Sequence, residues 1–82
     1  MQEKYVNYAN FEAYVEAGVI QSFYLVPFPM TKGWAIWAQG VNGQEYVLER
    51  ARGDQRRFAS ADTAIEAIRG LGWRKPVTVH LD

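Results

Sequence analysis

The fold is decided by residues 34–51, which read WAIWAQGVNGQEYVLERA. Asn42 and Gly43 lie at its centre, between two runs rich in apolar and aromatic residues. An Asn-Gly pair favours the positive φ angles of a type I′ turn, so this stretch predicts a β-hairpin. Its arms are predicted as Trp34–Gln39 and Gln44–Ala51.

A helix and a strand are predicted before the hairpin. Asn10 is a suitable N-cap, apolar residues follow it at helical spacing, and Gly18 supplies a stop. The next segment, Val19–Phe28, is dense in β-branched and aromatic residues and ends in prolines, which is typical of a strand.

A strand, a helix and a final strand are predicted after the hairpin. A turn at Gly53-Asp54 leads into a brief strand, Arg56–Phe58. Ser60 then caps a helix over Ala61–Arg69, and Gly70 followed by Leu71 predicts a Schellman ending. Pro76 opens the last strand, in which Val77, Val79 and Leu81 alternate with Thr78 and His80.

The element order is therefore α-β-β-β-β-α-β, with a very short fourth strand. We expect a single α+β domain over residues 1–82, because a chain of 82 residues forms one small core. Its two layers are predicted to be a mainly antiparallel sheet of four to five strands and two helices on one face.

The second face of this sheet is predicted to be apolar. Side chains alternate along a strand, so Trp34 and Trp37 point to opposite faces and only one of them lies beneath the helices. Tyr24, Trp37 and Val47 are the residues we expect on the uncovered face. An exposed apolar patch usually marks a binding surface, which predicts a protein partner or a homodimer. Loops or the N-terminal residues folding over the face are the alternative.

Charge is unevenly distributed although the formal net charge is zero. Residues 1–49 hold two lysines and five glutamates, net −3, while residues 50–82 hold seven basic and four acidic side chains, net +3. Four arginines cluster around the turn after the hairpin: Arg50, Arg52, Arg56 and Arg57. Arginine forks suit phosphates and carboxylates alike, and a nearby Trp37 could stack on a base, so DNA is one candidate partner. The alternative is a solvated turn with cross-strand pairs such as Glu49 with Arg57.

Composition argues against several classes of protein. The chain has no cysteine and one histidine, His80, which we expect to face solvent; this excludes disulfides, thiolate metal sites and multi-histidine metal sites. It shows no glycine-rich phosphate loop and no nucleophile elbow, so we expect neither catalytic residues nor a cofactor. Its longest apolar run is too short to span a bilayer, so we expect no membrane association and a cytoplasmic location.

Residues 48–64, LERARGDQRRFASADTA, have the most distinctive sequence pattern in the chain. Their pattern is Leu, then Arg two residues later, Arg-Gly-acid, Arg, Phe, a Ser cap, Asp and Ala. It resembles small accessory proteins of bacterial plasmids and integrative elements, of the partition-associated or replication-regulatory type. The resemblance covers about a third of the chain. The chain departs from the family's pattern in its aromatic-rich middle, Phe23 to Trp37. It implies a non-enzymatic protein that serves mobile DNA by binding.

Two functions are therefore expected. In the first, the protein serves plasmid maintenance, partition or replication by binding DNA or a DNA-processing protein. In the second, it is a protein-binding module or homodimer that uses the apolar sheet face, for example an inhibitor of a host defence system.

Overall fold

The computed structural model describes residues 3–51 and 54–80. Its elements in chain order are β1 Lys4–Val6, α1 Tyr8–Glu16, β2 Ile20–Pro27, β3 Trp34–Gly40, β4 Glu45–Ala51, β5 Asp54–Gln55, α2 Ala61–Gly70 and β6 Thr78–Val79.

The strands form one mixed sheet in the order β1-β4-β3-β2-β6, and β5 pairs with β4. β2, β3 and β4 form an antiparallel meander. The two outer strands each pair in parallel, β1 with β4 and β6 with β2. The predicted α+β class is confirmed. The predicted element order is wrong at its start, because β1 precedes α1; this strand has only three residues, too few for a recognisable alternation.

Both helices cover the same face of the sheet, as predicted. Phe11 of α1 and Ile68 of α2 are fully buried in the cluster that includes Phe23, Ile36 and Leu48 of the sheet. The rings of Phe11 and Phe23 lie 5.4 Å apart. One layer of helices on one face thus accounts for the main core.

The start of α1 lies three residues before the predicted one. Asn7 is the N-cap, and its side chain accepts a hydrogen bond from the N–H of Asn10 at 2.8 Å. Asn10 is therefore inside the helix, and its assignment as the cap was wrong. Asn7 takes this role because β1 ends at Val6 and the backbone is still extended at Asn7, as an N-cap requires. Gly18, with φ of +77°, follows the C-cap, as predicted.

The hairpin of β3 and β4 is confirmed, but its turn is not of type I′. That turn needs positive φ at both central residues, and no described residue other than glycine has positive φ. Instead, the N–H of Gly43 bonds back to the carbonyl of Gly40 at 3.0 Å, and Gly43 alone has a positive φ of +87°. Asn42 contributes through its side chain, which accepts from the N–H of Gln44.

Ser60 caps α2, and its hydroxyl accepts from the N–H of Thr63. The predicted glycine ending is displaced, since Gly70 still belongs to the helix and the residue with positive φ is Gly72. The helix runs one residue longer because the N–H of Leu71 still reaches the carbonyl of Ala67.

The segments around the predicted short strands also differ from expectation. The strand after the hairpin is β5, and the predicted strand Arg56–Phe58 is reduced to an isolated bridge between Phe58 and Trp34. The last strand is limited to Thr78–Val79. Arg52, Gly53 and Leu81 lie outside the described residues.

Candidate functional site

The candidate site is the sheet face opposite the helices, which we call the open face. Register and alternation assign to it these strand residues: Tyr5, Ser22, Tyr24, Val26, Ala35, Trp37, Gln39, Glu45, Val47, Glu49, Gln55 and Thr78.

A row of large side chains crosses the centre of the open face. Val47 pairs with Tyr5 on one side and with Trp37 on the other, and Trp37 pairs in turn with Tyr24. The structure therefore brings together the three residues expected here: Tyr24, Trp37 and Val47. Val47 is fully buried although neither helix covers it, because its cross-strand neighbours are bulky aromatic residues.

Tyr24 is held by contacts on two sides. Its hydroxyl donates to Oε2 of Glu45 at 2.7 Å, and its ring stacks on His80 with centroids 4.7 Å apart and an interplanar angle of 14°. Burial, followed by the hydrogen bond and the negative charge of Glu45, raises the pKa of Tyr24 well above its ordinary value. Tyr24 is therefore a neutral hydrogen-bond donor at pH 7.

Trp37 carries an unpaired polar group. Its Nε1 is buried and has no hydrogen-bond partner within the described ranges. A buried N–H without an acceptor costs on the order of 1–3 kcal/mol relative to a satisfied one. By contrast, Nε1 of Trp73 reaches the carbonyl of Pro76 at 3.4 Å.

The charged strand positions that the structure describes on the open face have one sign. Glu45 and Glu49 are the charged residues among its described strand positions, and none of those positions is a lysine or arginine. Each glutamate is half-buried at the β4 side of the aromatic row, which Tyr24 and Trp37 form. The face therefore combines aromatic area with negative charge, which suits a partner that carries arginine or lysine.

The three described arginines of the predicted cluster are exposed, and each has a neighbour. Arg50 forms an ion pair with Asp54 at 2.9 Å. Nη1 of Arg57 donates to the carbonyl of Lys32 at 2.7 Å, and the guanidinium of Arg56 lies over the Phe58 ring, 5.3 Å from its centroid. Arg52 lies outside the described residues.

The cross-strand pair expected between Glu49 and Arg57 is replaced. Glu49 lies opposite Gln55 in the β4–β5 ladder, since β5 starts two residues before the predicted strand.

Trp37 was expected near the arginine cluster. In the structure its ring lies next to that of Tyr24, at a centroid distance of 6.3 Å.

Four residues that contact or flank this row were not among the expected site residues: Tyr5, Glu45, Glu49 and His80. Glu45 alternates with Val47 along one strand, and this spacing could have identified it. His80 reaches Tyr24 only because β6 pairs in parallel with β2, a long-range pairing for which the sequence has no local signal.

Within the described ranges, no cluster of three or more histidine and acidic side chains is arranged to hold a metal ion. None of the helices in those ranges has the length and apolar character needed to cross a membrane. Comparison with protein-family models, with curated proteins and with solved structures finds no match for this chain.

Proposed function

We propose that this is a non-catalytic binding protein that docks a basic protein partner on its open face. The observation that carries the proposal is the aromatic row formed by the partly exposed Tyr24 and Trp37, which adjoins the buried Val47 and lies on a sheet face that neither helix covers. Aromatic residues at the centre of an uncovered surface are the usual anchors of protein interfaces.

The charge of the open face supports a basic partner. Glu45 and Glu49 flank the aromatic row, and arginine side chains can both pair with these carboxylates and stack on Trp37. Proteins that process DNA carry such basic surfaces. The proposal therefore agrees with an accessory role in plasmid or mobile-element maintenance, in which the protein binds a DNA-processing protein. A cytoplasmic location is part of it, supported by the absence of cysteine.

A second copy of the chain fits the open face less well than a basic partner. In a face-to-face dimer, Glu45 and Glu49 of one copy would face the negatively charged open face of the other. Like charges that face each other across an interface are costly. Self-association is therefore an outcome that would contradict the proposal.

The test is affinity capture from the native host, followed by titration of the purified retained protein in a calorimeter. We expect Trp37→Ala to weaken its binding by roughly thirtyfold or more and Glu45→Gln with Glu49→Gln by roughly tenfold. Arg50→Ala, at the other charged cluster, serves as the matched control and should leave the affinity unchanged. Denaturation of each variant confirms that it is folded.

Two results would contradict the proposal. One is a retained protein whose affinity is the same for wild type and both open-face variants. The other is a homodimer, found by light scattering, that Trp37→Ala converts to a monomer.

Direct binding of DNA through the arginine cluster is the second candidate. Exposed Arg50, Arg56 and Arg57 and the net charge of +3 over residues 50–82 favour it. If this candidate is correct, the protein binds an oligonucleotide with an affinity that falls steeply as the salt concentration rises. Replacement of these three arginines by glutamine should abolish that binding. Absence of binding at low salt would exclude it.

A further inference from the structure

A groove lies beside the outer edge of β2, at the end of the strand where Ile20 and Gln21 lie. Its volume is about 440 Å³, and its lining includes Val15, Ile20, Gln21 and the segment from Gly72 to Lys75. Val41, which is 64% exposed, forms part of the same lining. The groove is separate from the open face, whose Tyr24, Trp37 and Val47 do not line it.

The strand edge at this groove has no partner strand among the described residues. β2 has eight residues, but β6 pairs with only Tyr24 and Leu25 of them. Ile20–Ser22 therefore present an unpaired outer edge, and Gln21 is the extra residue of a bulge in the β2–β3 ladder. An unpaired edge is a template for an added strand, with backbone hydrogen bonds for affinity and side-chain pockets for selectivity.

The wall opposite this edge is held in place by Arg69. Its Nη1 donates to the carbonyl of Trp73 at 3.0 Å and to that of Lys75 at 2.7 Å. Trp73 is itself buried against Phe23, with ring centroids 5.1 Å apart. A wall fixed in this way loses little conformational freedom when a ligand enters.

The charge of the groove is positive. Arg74 and Lys75 line it, and none of the acidic residues in the described part of the chain does. The Nζ of Lys75 lies 5.4 Å from the centroid of the Trp73 ring. Beyond Val15 and Gly72 an adjoining groove of about 350 Å³ is lined by Glu12 and Glu16. The positive region is therefore bounded to the space between β2 and the segment Trp73–Lys75.

We propose that this groove binds an acidic, extended segment of a protein partner, which pairs with the backbone of Ile20–Ser22 as an added strand. Apolar side chains of the segment contact Val15, Ile20 and Val41, and alternate acidic side chains meet Arg74 and Lys75. The unpaired strand edge and the apolar lining favour a peptide over a nucleic acid, whose bases would need an exposed aromatic ring, whereas Trp73 is buried.

The test uses a short labelled peptide in which glutamate alternates with valine, and fluorescence anisotropy as the readout. We expect a dissociation constant on the order of 100 µM, because the contact area is small. The matched lysine–valine peptide should bind at least roughly tenfold more weakly, and Arg74→Glu with Lys75→Glu should weaken the glutamate peptide by a similar factor. Arg50→Glu is the control for a general effect of charge and should leave the affinity within about twofold.

The strand pairing is tested separately from the charge. N-methylation of every second residue of the glutamate peptide removes the N–H groups on one edge, and one of the two methylation registers should abolish binding while the other retains it. Amide shifts in a nitrogen-15 spectrum should concentrate at residues 18–21 and 72–75.

Four results of the binding measurements would overturn the proposal. They are absence of peptide binding up to about 1 mM, equal affinity for the lysine peptide, an unchanged affinity in the Arg74→Glu, Lys75→Glu variant, and tighter binding of a thymidine oligonucleotide than of the peptide. Shifts confined to Tyr24, Trp37 and Val47 would assign the peptide to the open face instead. The proposal stands independently of the proposed function, because Trp37, Glu45 and Glu49 do not line this groove.

Discussion

The hydroxyl of Tyr24 on β2 donates to the carboxylate of Glu45 on β4 at 2.7 Å, so one hydrogen bond spans the width of the intervening strand β3. The ring of Tyr24 also stacks on the ring of His80. Three strands and the segment after β6 are therefore linked through a single side chain on the open face.

Removal of this hydrogen bond should be measurable. Tyr24→Phe should lower the free energy of unfolding by about 1 kcal/mol at pH 7, because it deletes the donor to a partly buried carboxylate. Urea denaturation gives the value. In a Glu45→Ala background the same substitution should cost clearly less, and equal costs in the two backgrounds would show that the bond contributes nothing.

The raised pKa of Tyr24 predicts the direction of a pH effect. The folded state favours the protonated hydroxyl, while tyrosine in the unfolded chain ionises near its ordinary pKa of about 10. The contribution to stability is thus fully present below about pH 10 and is lost as the pH rises from there toward the pKa of the folded state. Urea denaturation between about pH 8 and 11 should show a steeper fall for the wild type than for Tyr24→Phe. Parallel curves would refute the prediction.

The unpaired Nε1 of Trp37 predicts a contrast between two tryptophans. Trp37→Phe removes an N–H that has no acceptor, whereas Trp73→Phe removes one that reaches the carbonyl of Pro76. We expect Trp37→Phe to cost less stability than Trp73→Phe by about 1 kcal/mol or more. Thermal and urea denaturation of both variants provide the comparison, and a larger cost at Trp37 would contradict it.

The N-cap of α1 separates two asparagines that look equivalent in the sequence. Asn7→Ala should destabilise the protein by about 1 kcal/mol, because it removes the acceptor for the N–H of Asn10. Asn10→Ala keeps that N–H and should have an effect within about 0.5 kcal/mol. If urea denaturation showed a larger loss of stability for Asn10→Ala than for Asn7→Ala, Asn10 would be the cap instead.

Gly33 is predicted to tolerate substitution less well than Gly18, although both have positive φ. A Cβ at Gly33 would lie 2.8 Å from Cγ of Arg57 and 2.8 Å from the backbone oxygen of Phe58, whereas one at Gly18 would have no atom within 4 Å. Gly18→Ala should cost about 1 kcal/mol for backbone strain alone. Gly33→Ala should cost at least about 2 kcal/mol, and denaturation showing equal losses would contradict this reading of the loop.

The elements that local patterns define were predictable. The hairpin around Gly43, the cap at Ser60 and the helices on one face follow from turn chemistry, capping and hydrophobic spacing. The strand β1 and the pairing of β6 with β2 were not predictable, because they depend on long-range parallel pairing of two- and three-residue segments. The turn type failed for a local reason: Gly43 alone supplies the positive φ.

The centre of the open face was predictable from alternation, since Trp37 and Val47 must point away from the strand residues that contact the helices. The contact of Tyr24 with Glu45 was not, because it joins strands that are not adjacent. The groove beside β2 depends on where Trp73–Lys75 returns to the sheet, which no periodicity encodes.

The parallel pairing of the late strand β6 with β2 has a consequence for synthesis of the protein. The antiparallel strands β2, β3 and β4 are consecutive in the chain and can associate as soon as β4 has left the ribosome. The outer edge of β2 at Tyr24 and Leu25 then waits for Thr78 and Val79. During that interval the nascent chain presents an apolar strand edge to other nascent chains, which is the usual route to aggregation.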